Sequence, residues 1–247
     1  MSWTKPTKLT SWSYSRYGTY KQCPLKAKLS YIDKIPIQKN AAMIRGDAIH
    51  KMAEKFLKGE ISRIPKELSQ FTEDFKSLKA LMKKHPERIT VEDTWAFKTD
   101  WSETVWNDWA GCWVRIKTDV SNLIEQDELP VVIVTDYKTG KYRPDSQEDY
   151  LEQLDLYALG ALLKWRHLIP KGLTVKPRLV YLDAGIVYPI IGTSEAKVYQ
   201  GADLKSLQKS WEKRVKPMLN DTTFAPKPSH LCGWCDYSAS KGGPCKY

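Results

Sequence analysis

Asp136, Tyr137 and Lys138 follow the β-branched run 131–135, Val-Val-Ile-Val-Thr, which Pro130 closes in front. In an extended chain alternate side chains share a face. Asp136 and Lys138 therefore point together, with Val132 and Val134 behind them, and Tyr137 points away. Upstream, Arg115, Lys117 and Asp119 are expected on one face of a strand, and Val114, Ile116 and Val120 on the other. If the two segments pair, Asp119 stands beside Asp136. Adjacent carboxylates repel unless a cation lies between them, and a hard divalent ion, Mg²⁺ or Mn²⁺, suits oxygen ligands. Such an ion polarises a phosphate oxygen and acidifies bound water, and a nearby lysine stabilises charge that builds on the phosphate. These are the parts that phosphodiester hydrolysis requires. Alone, the triplet reads as a strand end running into a Thr139-Gly140 turn.

Two helical pairs add to it. His50 lies four residues after Gly46, with Glu54 one turn further on, and its ring nitrogens are common metal ligands. Gln153 and Tyr157 share a helix face, and both are able to donate hydrogen bonds to phosphate or to a catalytic water.

The elements that must position these residues are legible from periodicity. A helix is expected over 41–58, with Ile44, Ala48, Met52 and Phe56 at helical spacing and Gly59 as its stop. A more polar helix follows over 66–84, then strands over 89–97 and 113–121. The run 131–135 suits a strand buried on both faces, and Glu125 and Asp127 are expected in the turn before Pro130. Helical spacing returns over 147–165, two strands are expected in 176–191, and a last helix over 202–219. Helices around a central group of strands define an α/β or α+β domain.

The chain's 247 residues suffice for one sizeable domain, and 42% hydrophobic residues exclude a disordered chain. A net charge of +10 favours an anionic partner, nucleic acid being the commonest. No apolar run is long enough for a membrane span, and residues 1–10 lack the apolar core of a signal peptide. A cytoplasmic location is expected, where clustered cysteines are more often metal ligands than disulfides. Cys232 and Cys235 form a C-x-x-C, Cys245 follows, and Cys23 is the candidate fourth ligand; Cys112 reads as a small core residue. Trp12, Tyr14, Tyr17, Tyr20 and Lys21 form an aromatic and basic stretch of the kind that stacks unpaired bases.

The order Gly46-x-x-x-His50, Asp119, Asp136-Tyr137-Lys138, Gln153-x-x-x-Tyr157 resembles the RecB-like branch of the PD-(D/E)XK nuclease superfamily. The string Thr135-Asp136-Tyr137-Lys138-Thr139-Gly140-Lys141 and the Ser13-x-Ser15 leading to Cys23-Pro24 are similar to it as well. The resemblance covers residues 11–59, 89–165 and 224–245 and leaves 60–88 unexplained. It implies a restriction-endonuclease-like α/β core, with a central mixed sheet flanked by helices and the two chain ends joined at a cysteine metal cluster. One nuclease domain would span 1–247: an N-terminal segment 1–40 with Cys23, a helical part 41–88, a catalytic core 89–200, and a C-terminal helix with a Cys-rich tail, 201–247.

The resemblance also implies site roles. His50, Asp119 and Asp136, helped by the main-chain carbonyl of Tyr137, would hold Mg²⁺ or Mn²⁺. Lys138 would be the catalytic lysine, with Gln153 and Tyr157 completing the catalytic set. Glu92 stands where relatives often carry an acidic residue, and Ile116 where they often carry glycine. CRISPR-associated and AddB-type relatives place one cysteine before the core and three after it around a [4Fe–4S] cluster, which implies Cys23, Cys232, Cys235 and Cys245 as its ligands. Zn²⁺ is the alternative for four thiolates. The implied activity is a metal-dependent deoxyribonuclease, an exonuclease on single strands or duplex ends, serving recombination, repair or phage DNA processing. A helicase or recombination partner and a homo-oligomer fit that role. The alternative is an inactive DNA-binding or scaffold subunit with the same fold.

Overall fold

A computed structural model of the chain describes residues 7–190 and 192–247. Most of the polar N-terminal run, residues 1–6, and Ile191 at the end of the expected strand pair lie outside the described residues.

A mixed sheet of seven strands forms the centre: β1 (Ile89–Phe97), β2 (Glu103–Thr104), β3 (Val114–Gln126), β4 (Leu129–Lys138), β5 (Thr174–Tyr181), β6 (Ile186–Tyr188) and β7 (Tyr199–Gln200). The order is β2-β1-β3-β4-β5-β6, with β7 also on β5. Only β4 and β5 run parallel among the paired strands. Between them in sequence lies the long helix α5 (Gln147–Lys164), which packs on β5, β4 and β3. A parallel pair needs such a crossover.

One face of the sheet carries α5, α6 (Leu204–Asn220) and the N-terminal α1 (Tyr14–Gln22), which leads into the short α2 (Pro24–Ala27). Val132 and Val134 of β4 join this side, as does Trp12, which stacks on Trp211 of α6 at 5.1 Å. Gly160 of α5 lets the helix close on the sheet. A Cβ there would lie 2.7 Å from Trp95 and 2.8 Å from Ile116. β3 carries Ile116 at this contact, and the small residue sits on the helix that faces it.

The opposite face is covered by α3 (Ala41–Leu57) and α4 (Thr72–Lys84). This accounts for residues 60–88: Phe75 of α4 is fully buried, stacks on Tyr137 at 5.0 Å and meets Phe56 edge-on. Arg178 of β5 ties α4 to the sheet through Asp74 at 2.8 Å. With both faces covered, β4 is buried as its β-branched run predicts.

Several local expectations are corrected. The buried stripe of α3 is Ile49, Ala53, Phe56 and Leu57, while Ile44, in the first turn, is exposed. β3 runs on to Gln126, so Glu125 pairs with Pro130, and the hairpin closes on Asp127 and Glu128, both with positive φ. Val114 and Ile116 face α5, but Val120 faces the α3–α4 layer. The reason lies opposite Asp119, where Glu92 adopts φ +57°. That left-handed residue drops out of the β1–β3 ladder between Val91–Val120 and Asp93–Thr118 and turns the alternation over. Trp12 and Tyr17 are core residues, at 0% and 8% exposure, and offer no free ring to a base. Packing among tryptophans on the α6 side took them.

Candidate active site

α3 is pinned where β4 ends. Arg45 donates to both carboxylate oxygens of Asp183, in the turn after β5, at 2.8 and 2.7 Å. A Cβ at Gly46 would come within 3.2 Å of Thr139 Oγ1, so the glycine allows the helix its close approach. One turn on, His50 Nδ1 lies 3.0 Å from Asp119 Oδ1.

Asp119 occupies the point where the β3–β4 ladder stops. The last pair is Val120 with Thr135, so one further step sets Asp119 opposite Asp136. There the Tyr137 N–H donates to Asp119 Oδ2 at 2.6 Å instead of to a strand carbonyl. Glu92, which the sequence marked only faintly, arrives from the other side through its left-handed backbone. Ligand atoms of His50, Glu92 and Asp119 all lie within 4.8 Å of one another. Among the described residues no other group of three such side chains is that close. Backbone strain at such a point is what a functional constraint sustains.

Asp136 flanks this trio. Its Oδ1 accepts from Tyr157 Oη at 2.5 Å, and Gln153 Nε2 donates to that hydroxyl at 2.9 Å. Its Oδ2 touches Lys138 Nζ at 2.5 Å but makes no aligned hydrogen bond. Lys117 Nζ stands likewise 2.5 Å from Glu92 Oε2. Gln153 and Tyr157 are both buried, so the pair steers a carboxylate rather than reaching into solvent. Burial, with the charges of Asp136 and Asp119 behind it, raises the Tyr157 hydroxyl well above its ordinary value, which keeps it a donor.

The electrostatics call for a cation. Burial and the neighbouring charge of Asp136 lift Asp119 above the usual carboxylate range, against the His50 and Tyr137 hydrogen bonds. Burial pulls His50 down, but the bond to Asp119 and the charges of Asp119, Asp136 and Glu92 outweigh it and raise the ring. Crowded, desolvated carboxylates with one imidazole and an unaligned Asp136 oxygen are a donor set suited to a hard divalent ion.

The site opens on a groove of joined cavities. One, of about 700 Å³, is lined by His50, Glu92 and Lys117; the next, of about 480 Å³, by Lys117, Arg115, Lys138 and Gln153; a third, of about 820 Å³, by Lys138, Tyr150 and Lys227. Lys117 and Lys138 each belong to two of them. Glu92 was the contributor hardest to read, because a strand that breaks its own alternation hides which side chains meet.

At the other end of the groove the chain ends meet. Tyr237 Oη donates to the Ile35 carbonyl at 3.1 Å and pairs with Ser30 at 2.9 Å. Cys23, Cys232, Cys235 and Cys245 line one cavity here, yet no three of their sulfurs approach within 4.8 Å. The structure shows no cysteine cluster joining the termini among the described residues, and hydrogen bonds join them. Cys112 is apart and buried, at 5% exposure.

The sequence profile of the PD-(D/E)XK nuclease superfamily matches residues 11–240, and the chain belongs to this superfamily. No curated protein matches the chain. The mixed sheet flanked by helices agrees with the restriction-endonuclease-like fold, and the nucleases of this superfamily use divalent metals. No helix among the described residues is long and apolar enough to cross a membrane.

Proposed function

We propose that the protein is a Mg²⁺- or Mn²⁺-dependent deoxyribonuclease acting as an exonuclease on single-stranded DNA or duplex ends. The observation that carries the reading is the convergence of His50, Glu92 and Asp119 within 4.8 Å, beside the Lys138–Asp136 pair and at the floor of a basic groove. His50, Glu92, Asp119 and Asp136 would hold the ion, with the Tyr137 carbonyl at hand on the same strand end. The ion supplies Lewis acidity toward a phosphate oxygen and lowers the pKa of water.

The chain's own groups do the rest. Lys138 neutralises charge that gathers on the phosphate and orients the attacking water. Tyr157, held by Gln153, fixes the rotamer of Asp136. Asp119 is fixed by the Tyr137 N–H and His50. Lys117 and Arg115 hold the phosphate backbone along the groove. The resemblance to the RecB-like branch supports the exonuclease mode and roles in recombination, repair or phage DNA processing.

The same reading gives Cys23, Cys232, Cys235 and Cys245 to a [4Fe–4S] cluster. Their common cavity supports it, with Zn²⁺ as the alternative for four thiolates. Protein purified without oxygen is then brown; a colourless, zinc-containing protein rules the cluster out.

The enzymatic reading is tested with labelled linear single-stranded, duplex and circular single-stranded DNA, in Mn²⁺ and in EDTA. Linear DNA is degraded in Mn²⁺ only, and Asp136→Ala and Lys138→Ala are inactive. Wild type and both variants behaving alike would leave the inactive DNA-binding alternative. Circular DNA cut as fast as linear would remove the exonuclease mode.

A further inference from the structure

Arg16, in the first turn of α1, and Arg115, on β3, both aim at Ser11. Their Nη1 atoms donate to its Oγ at 2.8 and 3.1 Å. Arg16 also donates to the Ser11 carbonyl, and Arg115 Nε to the Trp106 carbonyl, each at 3.1 Å. All these acceptors are neutral, and no carboxylate pairs with either guanidinium among the described residues. Two half-buried like charges thus share one hydroxyl without a counter-ion. Burial first, then Arg115, pushes Arg16 below its ordinary value. Such a pair is incomplete without an anion.

A second observation points to the same ligand. The loop between β2 and β3 places Trp106 and Trp109 on the Arg115 guanidinium, with ring centroids at 5.7 and 5.3 Å. Trp109 is 81% exposed and Val105 69%, although most tryptophans here are packed inside. Stacking on arginine fixes the rings and leaves the outer face of Trp109 open. Arg16, Arg115 and Trp106 line the cavity that also holds Lys138 and Gln153, so this corner is continuous with the catalytic groove.

We propose that Arg16 and Arg115 bind a backbone phosphate next to the one that is cut, and that the Trp106–Trp109 loop stacks the unpaired base attached to it. The subsite would select single-stranded DNA, since a base inside a duplex has no free face to offer. This rests on the nuclease reading for its substrate class.

The test is binding, apart from cleavage. Affinity for a fluorescent oligothymidylate and for a blunt duplex is measured in EDTA across a salt series, with circular dichroism to confirm folding. The double variant Arg16→Gln/Arg115→Gln is expected to bind the single strand at least ten-fold more weakly. Its log–log salt slope flattens by about 0.7, the share of one single-strand phosphate. Trp109→Ala, at an exposed tip that folding does not need, weakens the single strand about ten-fold and the duplex less than two-fold. Wild-type affinity and slope in these variants overturn the subsite, as does an equal loss on both substrates. If the expected losses appear while wild-type protein cleaves nothing in Mn²⁺, the subsite stands and the nuclease reading falls. If cleavage is normal and the losses are absent, the reverse holds.

Discussion

His50, Glu92 and Asp119 are carried by a helix and two neighbouring strands, and their ligand atoms already lie within 4.8 Å of one another. Cys23 sits at a helix end and Cys232, Cys235 and Cys245 in a tail of short turns, and these four share a cavity without comparable closeness. The carboxylates are held by strong neighbours: a main-chain N–H, an imidazole, a tyrosine and two lysines. The thiols accept backbone N–H groups, that of Lys227 at Cys23 and that of Ser229 at Cys232, each at 3.4 Å. Regular elements fix side chains through their ladders and cores, whereas a tail with little core leaves its ligands to be ordered by what they bind. The first region thus has its side chains preset by regular elements, and the second does not.

The comparison yields graded predictions. Largest, Asp136→Ala or Lys138→Ala should lower Mn²⁺-dependent kcat/KM by about three orders of magnitude, with thermal stability kept. A large fall in Tm with either would place these residues in the scaffold instead. Next, Phe75→Ala should destabilise by about 3–5 kcal/mol, measured by urea unfolding, because the α3–α4 layer that seats His50 rests on that ring. A loss under 1 kcal/mol would mean that the layer does not support the site. Third, under the proposed cysteine cluster, Cys232→Ser should lower the iron or zinc content of the purified protein, read by metal analysis. It should lower stability by about 2 kcal/mol, or about 4–8 °C of Tm at this chain length, while catalysis at low temperature persists. Abolished activity with intact Tm would dissolve the division of labour between the two regions.

Smaller effects sharpen it. Tyr157→Phe should reduce activity about ten-fold, the scale of losing a neighbour that orients a metal ligand, and higher Mn²⁺ should restore part of it. Unchanged activity at limiting Mn²⁺ would remove Tyr157 from the positioning role. Smallest, Arg45→Ala, which frees the exposed strap to Asp183, should leave Tm nearly unchanged, and a clear fall in Tm would make the strap a structural tie.

The chain's own order of residues sufficed for much of this. The β-branched run, the helical spacing over 147–164 and the bounds of β1 follow from periodicity, because burial repeats with the geometry of each element. The grouping of His50, Asp119, Asp136, Lys138, Gln153 and Tyr157 in one neighbourhood came from the resemblance of their order to the nuclease superfamily. Three things were decided only by tertiary structure. Glu92 enters the site through a left-handed backbone that no alternation rule anticipates, and the same kink moves Val120 to the other face. Tyr157 turns its hydroxyl to Asp136 because α5 is buried on the sheet, which no single helix face reveals. Arg16 and Arg115 meet because Trp12 takes a place beside β3 at Val114. Local sequence fixes which elements form and what chemistry they carry; long-range packing sets which side chains meet, since those contacts join residues tens to hundreds of positions apart.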